Sequence, residues 1–238
     1  MYRNRVLAVM TAVAMLSVVV LAAGCSSSDS SRKLVLLHTS DEHSHLLAVG
    51  PEVDDYPPSA TPGSGNLLGG IARRATILAA ERDAAKKLGA ATLTVSSGDI
   101  MMGTLSQVPQ TNVSPDLRAA KQLGYDVVTL GNHDFELSPD YLAATITAAA
   151  AKTPLVPVVL SNIHFKGNDQ DKSLQAMYDD TGKDDSKPLH LYRVVTASNG
   201  LKVGFAGVMG ARAAHVAPGK APITFSLPDS GSETDYKG

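Results

Sequence analysis

The chain lacks several features that stabilise or recruit other proteins. It has one cysteine, Cys25, and no tryptophan among its 238 residues. One cysteine cannot form an internal disulfide, and a structural zinc site built on cysteines is excluded. Lysine and arginine residues are scattered along the sequence, and the formal net charge is −2. Both observations argue against a nucleic acid polymer as partner. With 44% hydrophobic residues, the chain is too apolar to be disordered.

The first 24 residues have the layout of an export signal. Arg3 and Arg5 precede an uncharged apolar run, Val6 to Ala23, and small residues then lead to Cys25. A basic start, an apolar centre and a small-residue cleavage site are typical of secretory signals. Leu-Ala-Ala-Gly-Cys at 21–25 resembles a bacterial lipobox, in which the cysteine is lipidated and becomes the new N-terminus.

The predicted organisation is a signal peptide at 1–24, a lipid-anchored serine-rich tether at 25–32 and one folded domain at 33–238. We therefore expect a protein of the cell envelope, attached to the bacterial membrane and facing the periplasm or the exterior. Two alternatives remain open for the first segment. It is long enough to be a plain transmembrane anchor at the lower limit for spanning a bilayer, or Cys25 is a buried free thiol.

Beyond the tether, apolar runs alternate with helix signals. The predicted strands are 33–39, 92–96, 126–130 and 155–160, and the predicted helices are 71–88, 115–123 and 139–152. An Asn-Gly turn at 199–200 predicts a hairpin between two β-rich runs. Strands that alternate with helices indicate an α/β layered domain with mostly parallel neighbours.

Four further expectations concern single features of this pattern. Pro157 favours a sheet edge or a bulge for the fourth strand, and the polar segment 166–188 is expected to be a surface insertion. His38 lies within an apolar strand, which favours a hydrogen-bonded histidine in the core. Arg73 and Arg74 begin a helix, and a solvated face is their expected environment, with a contact to a phosphate group as the alternative.

Polar side chains follow the first three predicted strands. The segments are Ser-Asp-Glu-His at 40–43, Gly-Asp at 98–99 and Gly-Asn-His-Asp-Phe-Glu at 131–136. In open α/β sheets, sites form at the carboxyl ends of strands, and parallel neighbours bring these turns together along one edge. The pattern therefore predicts one site assembled from three turns that are far apart in the chain.

The residue types in these turns are those of a metal site. Asp41 and His43 supply a carboxylate and an imidazole two residues apart, and Asn132 supplies a carboxamide. This mixture suits zinc, manganese or iron better than calcium, which prefers oxygen ligands alone. Asp99 could bridge two ions, and a pair of ions can polarise a phosphate.

The three motifs resemble those of the calcineurin-like metallophosphoesterases. The runs LLHTSDEHSHL at 36–46, GGIARR at 69–74 and PVVLSNI at 157–163 are similar, more specifically, to bacterial 5′-nucleotidases and 2′,3′-cyclic phosphodiesterases. The resemblance extends over about residues 33–210. It implies a layered α/β fold, a metallophosphoesterase-like β-sandwich flanked by helices, and hydrolysis of a small nucleotide or another phosphate ester.

The resemblance also implies roles for individual residues. Asp41 and His43 would bind a first divalent metal, Asp99 would bridge, and Asn132 would bind the second metal, with zinc or manganese in both places. His133 resembles the catalytic imidazole of that family. An acid three residues on orients this imidazole, and here Glu136 stands where aspartate is usual. Asp134 is the other candidate for that orienting acid.

Part of the family pattern is missing from this sequence. Related enzymes take three further histidine ligands from later segments, two of them from a Gly-His-x-His turn that this chain does not contain. We therefore expect only the N-terminal part of a catalytic domain, incomplete at the C-terminus, with an unpaired sheet edge, weak metal binding and little activity. The alternatives are a non-catalytic exported lipoprotein that binds a partner, and a nonfunctional fragment.

Overall fold

The computed structural model describes residues 31–49, 67–152 and 154–226. Its folded unit begins at Lys33. The predicted signal peptide, Cys25 and most of the predicted tether lie outside the described residues. They therefore stay predictions. Among the residues described, no helix is both long and apolar enough to span a membrane.

Ten strands follow one another along the described chain. They are β1 Lys33–Thr39, β2 Ala90–Ser96, β3 Val127–Val128, β4 Val158–Val159, β5 Ile163–His164, β6 Tyr178–Asp179, β7 Leu189–His190, β8 Arg193–Thr196, β9 Lys202–Phe205 and β10 Thr224–Phe225. Six of them form a parallel sheet in the order β1-β2-β3-β4-β7-β6. The predicted α/β class is therefore confirmed.

Within the same residues, six α-helices connect or cover these strands. They are α1 Ile71–Lys87, α2 Gln110–Val113, α3 Pro115–Gln122, α4 Pro139–Ala150, α5 Lys172–Gln175 and α6 Ala211–His215, with 3₁₀ turns at Leu105–Gln107 and His133–Phe135. Helix α4 begins as predicted, because the Ser138 hydroxyl accepts a hydrogen bond from the Tyr141 N–H at 3.0 Å. Ser114, by contrast, has a φ of 44° and makes no capping bond to α3.

The main core lies between the parallel sheet and its helices. Val128 and Val158 of the sheet are fully buried, and so are Phe135 and Leu142, with Ile146 almost so. Strands buried on both faces are continuously apolar rather than alternating. This is why the short apolar runs around β3 and β4 predict strands.

A hairpin of β8 and β9 forms a second, smaller layer. The two strands pair antiparallel from Arg193 opposite Phe205 to Thr196 opposite Lys202, so the predicted Asn-Gly hairpin is confirmed. Its inner side chains pack on the opposite face of the first two sheet strands, against Leu93. Strands β5 and β10 make a separate antiparallel pair.

The expectation for Pro157 is wrong. Strand β4 lies between β3 and β7, in the interior of the main sheet. Proline removes only the backbone N–H, and Pro157 immediately precedes the strand. Its carbonyl still accepts a hydrogen bond from the Val128 N–H at 3.0 Å, so the neighbouring strand is joined without the missing donor.

The polar segment 166–188 is not simply a surface insertion. Leu174 of α5 is fully buried, and β6 forms one edge of the main sheet. The acids that made the segment look hydrated are partly internal. Asp171 and Asp179 are buried, and Asp179 accepts hydrogen bonds from the Thr181 N–H at 2.9 Å and the Asp184 N–H at 2.8 Å. Aspartate in turns often bonds nearby backbone in this way.

His38 also differs from expectation, because it is exposed rather than part of the core. Strand β1 is an edge strand of the sheet, so little besides the hairpin covers one of its faces. The imidazole still has a partner, the hydroxyl of Ser97. An apolar neighbourhood in the sequence could not distinguish an edge strand from a central one.

Candidate functional site

Three loops meet at the carboxyl edge of the sheet. Loop 1 (residues 40–46) follows β1, loop 2 (97–104) follows β2, and loop 3 (129–138) follows β3. Loop 1 lies along loop 2 as a continuation of the strand pairing. Its N–H groups at Asp41, His43 and Ser44 donate to the carbonyls of Gly98, Asp99 and Ile100 at 3.0, 3.0 and 2.9 Å.

Donor atoms from all three loops converge. His43, Asp99 and His133 each offer one ligand atom, and these atoms lie within 4.8 Å of one another. The two imidazole rings meet edge to face with centroids 4.7 Å apart. Asp99 is buried, and its Oδ1 accepts a hydrogen bond from the His133 N–H at 2.8 Å. Two imidazoles and a carboxylate form a donor set that fits zinc or another transition metal.

The other two predicted ligands lie beside this group. Asp41 places its Oδ1 3.9 Å from Nε2 of His43, and its side chain is 64% exposed. The Ser40 hydroxyl donates to its other oxygen at 2.5 Å. Asn132 is partly exposed and immediately precedes the 3₁₀ turn that carries His133. His133, predicted as the catalytic imidazole, is thus among the three converging donors.

The two candidates for the orienting acid have different environments. Glu136 contacts Nδ1 of His133 directly. Asp134 is buried and bonds to backbone instead, with Oδ1 accepting from the Met101 N–H at 3.0 Å and Oδ2 from the Gly131 N–H at 2.8 Å. Asp134 therefore ties loop 3 to loop 2. Burial raises the pKa of Asp134 to about 7, against the lowering effect of these two donors.

Backbone strain is concentrated in loops 1 and 2. Five non-glycine residues there have positive φ values: Asp41 (54°), His43 (45°), Ser44 (54°), Asp99 (51°) and Met102 (68°). Few non-glycine residues adopt this region, and strain of this kind clusters at functional sites. The backbone bonds between the loops hold these conformations in place. This clustering is an observation that the sequence alone did not offer.

The motif glycines are explained by close packing. A Cβ atom on Gly98, whose φ is +101°, would lie 2.4 Å from the nitrogen of Gly131. A Cβ atom on Gly131 would lie 2.2 Å from Oδ1 of Asp99. Loops 2 and 3 can therefore approach each other only if both positions are glycine, and the approach places Asp99 beside His133.

Two buried acids, one within loop 1 and one on a helix that packs against it, were missed by sequence reasoning. Glu42 lies between the two predicted ligands of loop 1, and Asp116 is on α3; they are 8% and 3% exposed. Asp116 Oδ2 accepts hydrogen bonds from the Ser44 hydroxyl at 2.6 Å and from the Gln110 amide. Burial raises its pKa to about 6, opposed by these donors. In the sequence, Asp116 looked like an ordinary first-turn acid, and only the fold places it against loop 1.

The arrangement defines a class: a parallel α/β sheet whose carboxyl edge carries histidine and carboxylate side chains that could hold a metal ion. No family model matches the chain. A 5′-nucleotidase of Vibrio parahaemolyticus is 32% identical over 130 residues, which cover 50% of this chain and 20% of that protein. The chain thus spans about a fifth of the length of the curated relatives it matches.

Solved structures give the same result. A 5′-nucleotidase precursor from Thermus thermophilus aligns with a TM-score of 0.53 and 25% identity, over 82% of this chain and 32% of that one. An NAD nucleotidase of Haemophilus influenzae shares the fold, with a TM-score of 0.55 and 18% identity over 82% of this chain and 30% of that one. The resemblance to the N-terminal part of the 5′-nucleotidases, and to their metallophosphoesterase fold, is therefore confirmed.

Proposed function

We propose that this chain is the N-terminal part of an exported, lipid-anchored phosphoesterase of the 5′-nucleotidase type. Its substrates are phosphate esters of nucleotides, and it uses two divalent metal ions, zinc or manganese. The observation that carries the proposal is the convergence of His43, Asp99 and His133 at the carboxyl edge of the sheet. The similarity to 5′-nucleotidases on both sequence and fold supports it.

The residues fit the metals that the proposal needs. His43 and Asp99 bring a nitrogen and an oxygen donor together, Asp41 lies beside His43, and Asn132 directly precedes His133 in loop 3, which leaves His133 for proton transfer. When bound, divalent ions supply Lewis-acid chemistry that polarises a phosphoryl oxygen. A set of this size leaves positions for ligands from outside the described residues. We therefore propose weak metal binding and little turnover for these 238 residues alone.

Glu136 determines which ring nitrogen of the proposed catalytic imidazole carries the proton. A carboxylate can only accept hydrogen bonds, so the pairing with Glu136 keeps the proton of His133 on Nδ1. Nε2 is then the atom that remains for substrate. In its protonated form, His133 can donate from Nε2 to the leaving oxygen of a phosphate ester.

The test combines metal binding with an esterase assay. Titration of the purified full chain with Mn²⁺ or Zn²⁺ is expected to show binding that His43→Ala abolishes. Hydrolysis of a nitrophenyl phosphate ester is expected to fall roughly hundredfold in Glu136→Gln, the scale of general acid catalysis, and to be unchanged in Lys33→Ala. The ¹⁵N shifts of the His133 ring should report the altered tautomer in Glu136→Gln even where turnover is low. Absence of metal binding by the parent chain would reject the proposal.

The anchoring part of the proposal has its own test. Cys25 is the only cysteine, and lipidation there should hold the mature chain on the membrane. Cys25→Ser is expected to prevent lipid attachment, which mass spectrometry of the N-terminal peptide would detect. An unmodified Cys25 in the parent chain would favour the two alternatives, a plain transmembrane anchor or a buried free thiol.

The missing Gly-His-x-His turn favours a second candidate, a non-catalytic exported lipoprotein that keeps the fold for binding. The two candidates differ in their response to His133→Ala. A phosphoesterase loses turnover in that variant, whereas a binding protein shows no turnover in parent or variant at any metal concentration.

A further inference from the structure

Alternate side chains of loop 1 have opposite environments. Asp41 and His43 are 64% and 27% exposed at the side chain and lie at the candidate metal site. Glu42 and Ser44, which follow each of them, are 8% and 1% exposed. The loop is therefore held from beneath by two polar side chains while it presents two others to the site.

Glu42 makes the larger set of buried contacts. Its Oε1 accepts a hydrogen bond from the Thr39 hydroxyl at 2.5 Å, and its Oε2 accepts one from the Ser96 hydroxyl at 3.0 Å. These partners are the last residues of β1 and β2. Nη1 of Arg74, on the first turn of α1, lies 3.7 Å from Oε1. One carboxylate thus joins loop 1 to two strand ends and a helix.

Glu42 is 8% exposed and borders two spaces, the large groove along α1 and a much smaller cavity. The smaller cavity, of about 10 Å³, is lined by Glu42, Arg74, Asp116 and Tyr125 among others, and it has about the space of one water molecule. A buried carboxylate needs a paired cation, and removal of that cation leaves an uncompensated charge. With Asp116 nearby as a second acid, Arg74 is the side chain in contact with Glu42 that supplies positive charge.

We propose that Glu42 and Arg74 form a positioning pair that holds loop 1 in its strained conformation, with Asp41 and His43 aimed at the site. The proposal rests on the proposed metal binding only for its effect on affinity. Loss of the cation would leave the buried carboxylate of Glu42 without a counter-charge. Glu42 would then move toward solvent and take with it the residues on either side, whose positive φ values depend on the bonds to loop 2.

The test compares Arg74→Gln with Arg73→Gln. Arg73 is the neighbouring exposed arginine and bonds only to the carbonyl of Gly69, 3.2 Å away, among its described contacts. Hydrogen exchange of the loop 1 amides, measured on the full chain without metal, should become at least about tenfold faster in Arg74→Gln and remain unchanged in Arg73→Gln. Mn²⁺ affinity should fall about 10- to 100-fold in Arg74→Gln, the usual scale for groups that orient ligands.

A double variant separates charge pairing from simple loss of packing. Gln at position 42 can still bond to both hydroxyls without a charge, so Glu42→Gln/Arg74→Gln should recover slow exchange and most of the affinity. Equal exchange in Arg74→Gln and Arg73→Gln would overturn the proposal, and so would a double variant as impaired as Arg74→Gln. If the parent chain bound no Mn²⁺ but showed the expected exchange pattern, the proposed function would fail while the positioning pair would stand.

Discussion

At the scale of single residues, the site depends on backbone conformations that most side chains avoid. Each positive φ at a non-glycine residue costs about 1–3 kcal/mol, and Asp41, His43, Ser44 and Asp99 all have one. Such strain persists only where surrounding bonds over-determine it. Here the bonds come from the backbone of loop 2 and from buried side chains, so small changes in loop packing should affect the site before they affect the fold.

Gly131→Ala tests this dependence. The added methyl group would lie 2.2 Å from Oδ1 of Asp99, so either the carboxylate or loop 3 must move. We expect destabilisation of about 1–3 kcal/mol, the usual cost of overpacking, and loss of metal binding beyond what that destabilisation explains. Urea unfolding and metal titration would measure the two effects.

Gly204→Ala is the matched control, because no atom lies within 4 Å of its added Cβ. That variant should retain both parental stability and metal binding. Retention of metal binding by Gly131→Ala would contradict the close packing of Asp99 against loop 3.

At the scale of elements, the sequence was informative where apolar residues form a continuous run or recur with the period of a helix. Strand β1 has the predicted bounds, and α1 ends within one residue of its prediction. Strands β6 and β7 were not predicted as part of the sheet, because two residues carry no readable period and acids surround β6. The converging turns were predictable from strand ends. The supporting acids Glu42 and Asp116 were not, because their roles depend on which helix packs beneath loop 1.

Asp116 links α3 to loop 1 and should make stability depend on pH. Burial raises its pKa from 3.8 to about 6, so the folded chain holds a proton that the unfolded chain releases between these values. The stabilisation from this proton is complete below about pH 4. It is lost as the pH rises through 6, which lowers the free energy of unfolding by up to about 3 kcal/mol. Asp116→Asn can accept both hydrogen bonds without a charge, and should flatten this part of the profile and be the more stable protein at pH 7.

Urea unfolding at several pH values between 4 and 7 would measure this difference. Asp140→Asn is the control, since Asp140 is an exposed first-turn acid of α4, and its profile should follow that of the parent. Parallel profiles for the parent and Asp116→Asn would show that Asp116 does not carry the predicted pH dependence.

At the scale of the whole molecule, the main sheet ends at β1, which pairs only with β2 among the strands described. The edge of β1 that no described strand covers borders a groove of about 750 Å³ along α1. Several apolar side chains of that groove are exposed, among them Leu36 (51%), Leu47 (60%), Leu68 (57%) and Ile77 (61%). An unprotected apolar edge invites pairing with other chains, and a contiguous apolar patch of this kind favours association.

Leu36→Lys should protect this edge. A lysine on an edge strand opposes strand pairing between molecules, while half-exposed Leu36 contributes little to the core. We expect the concentration at which the purified chain self-associates to rise by about tenfold, with the free energy of unfolding nearly unchanged. Sedimentation velocity over a range of concentrations would measure the first quantity and urea unfolding the second.

Val216→Lys separates the edge from the added charge. Val216 is 50% exposed, close to the 51% of Leu36, and it lies at the end of α6 rather than on a strand. The same change of charge there should leave self-association as in the parent. If both variants dissociated the chain equally, electrostatic repulsion between whole molecules would explain the effect. If neither did, association would not run through the β1 edge, and the groove along α1 would have to be covered in some other way in solution.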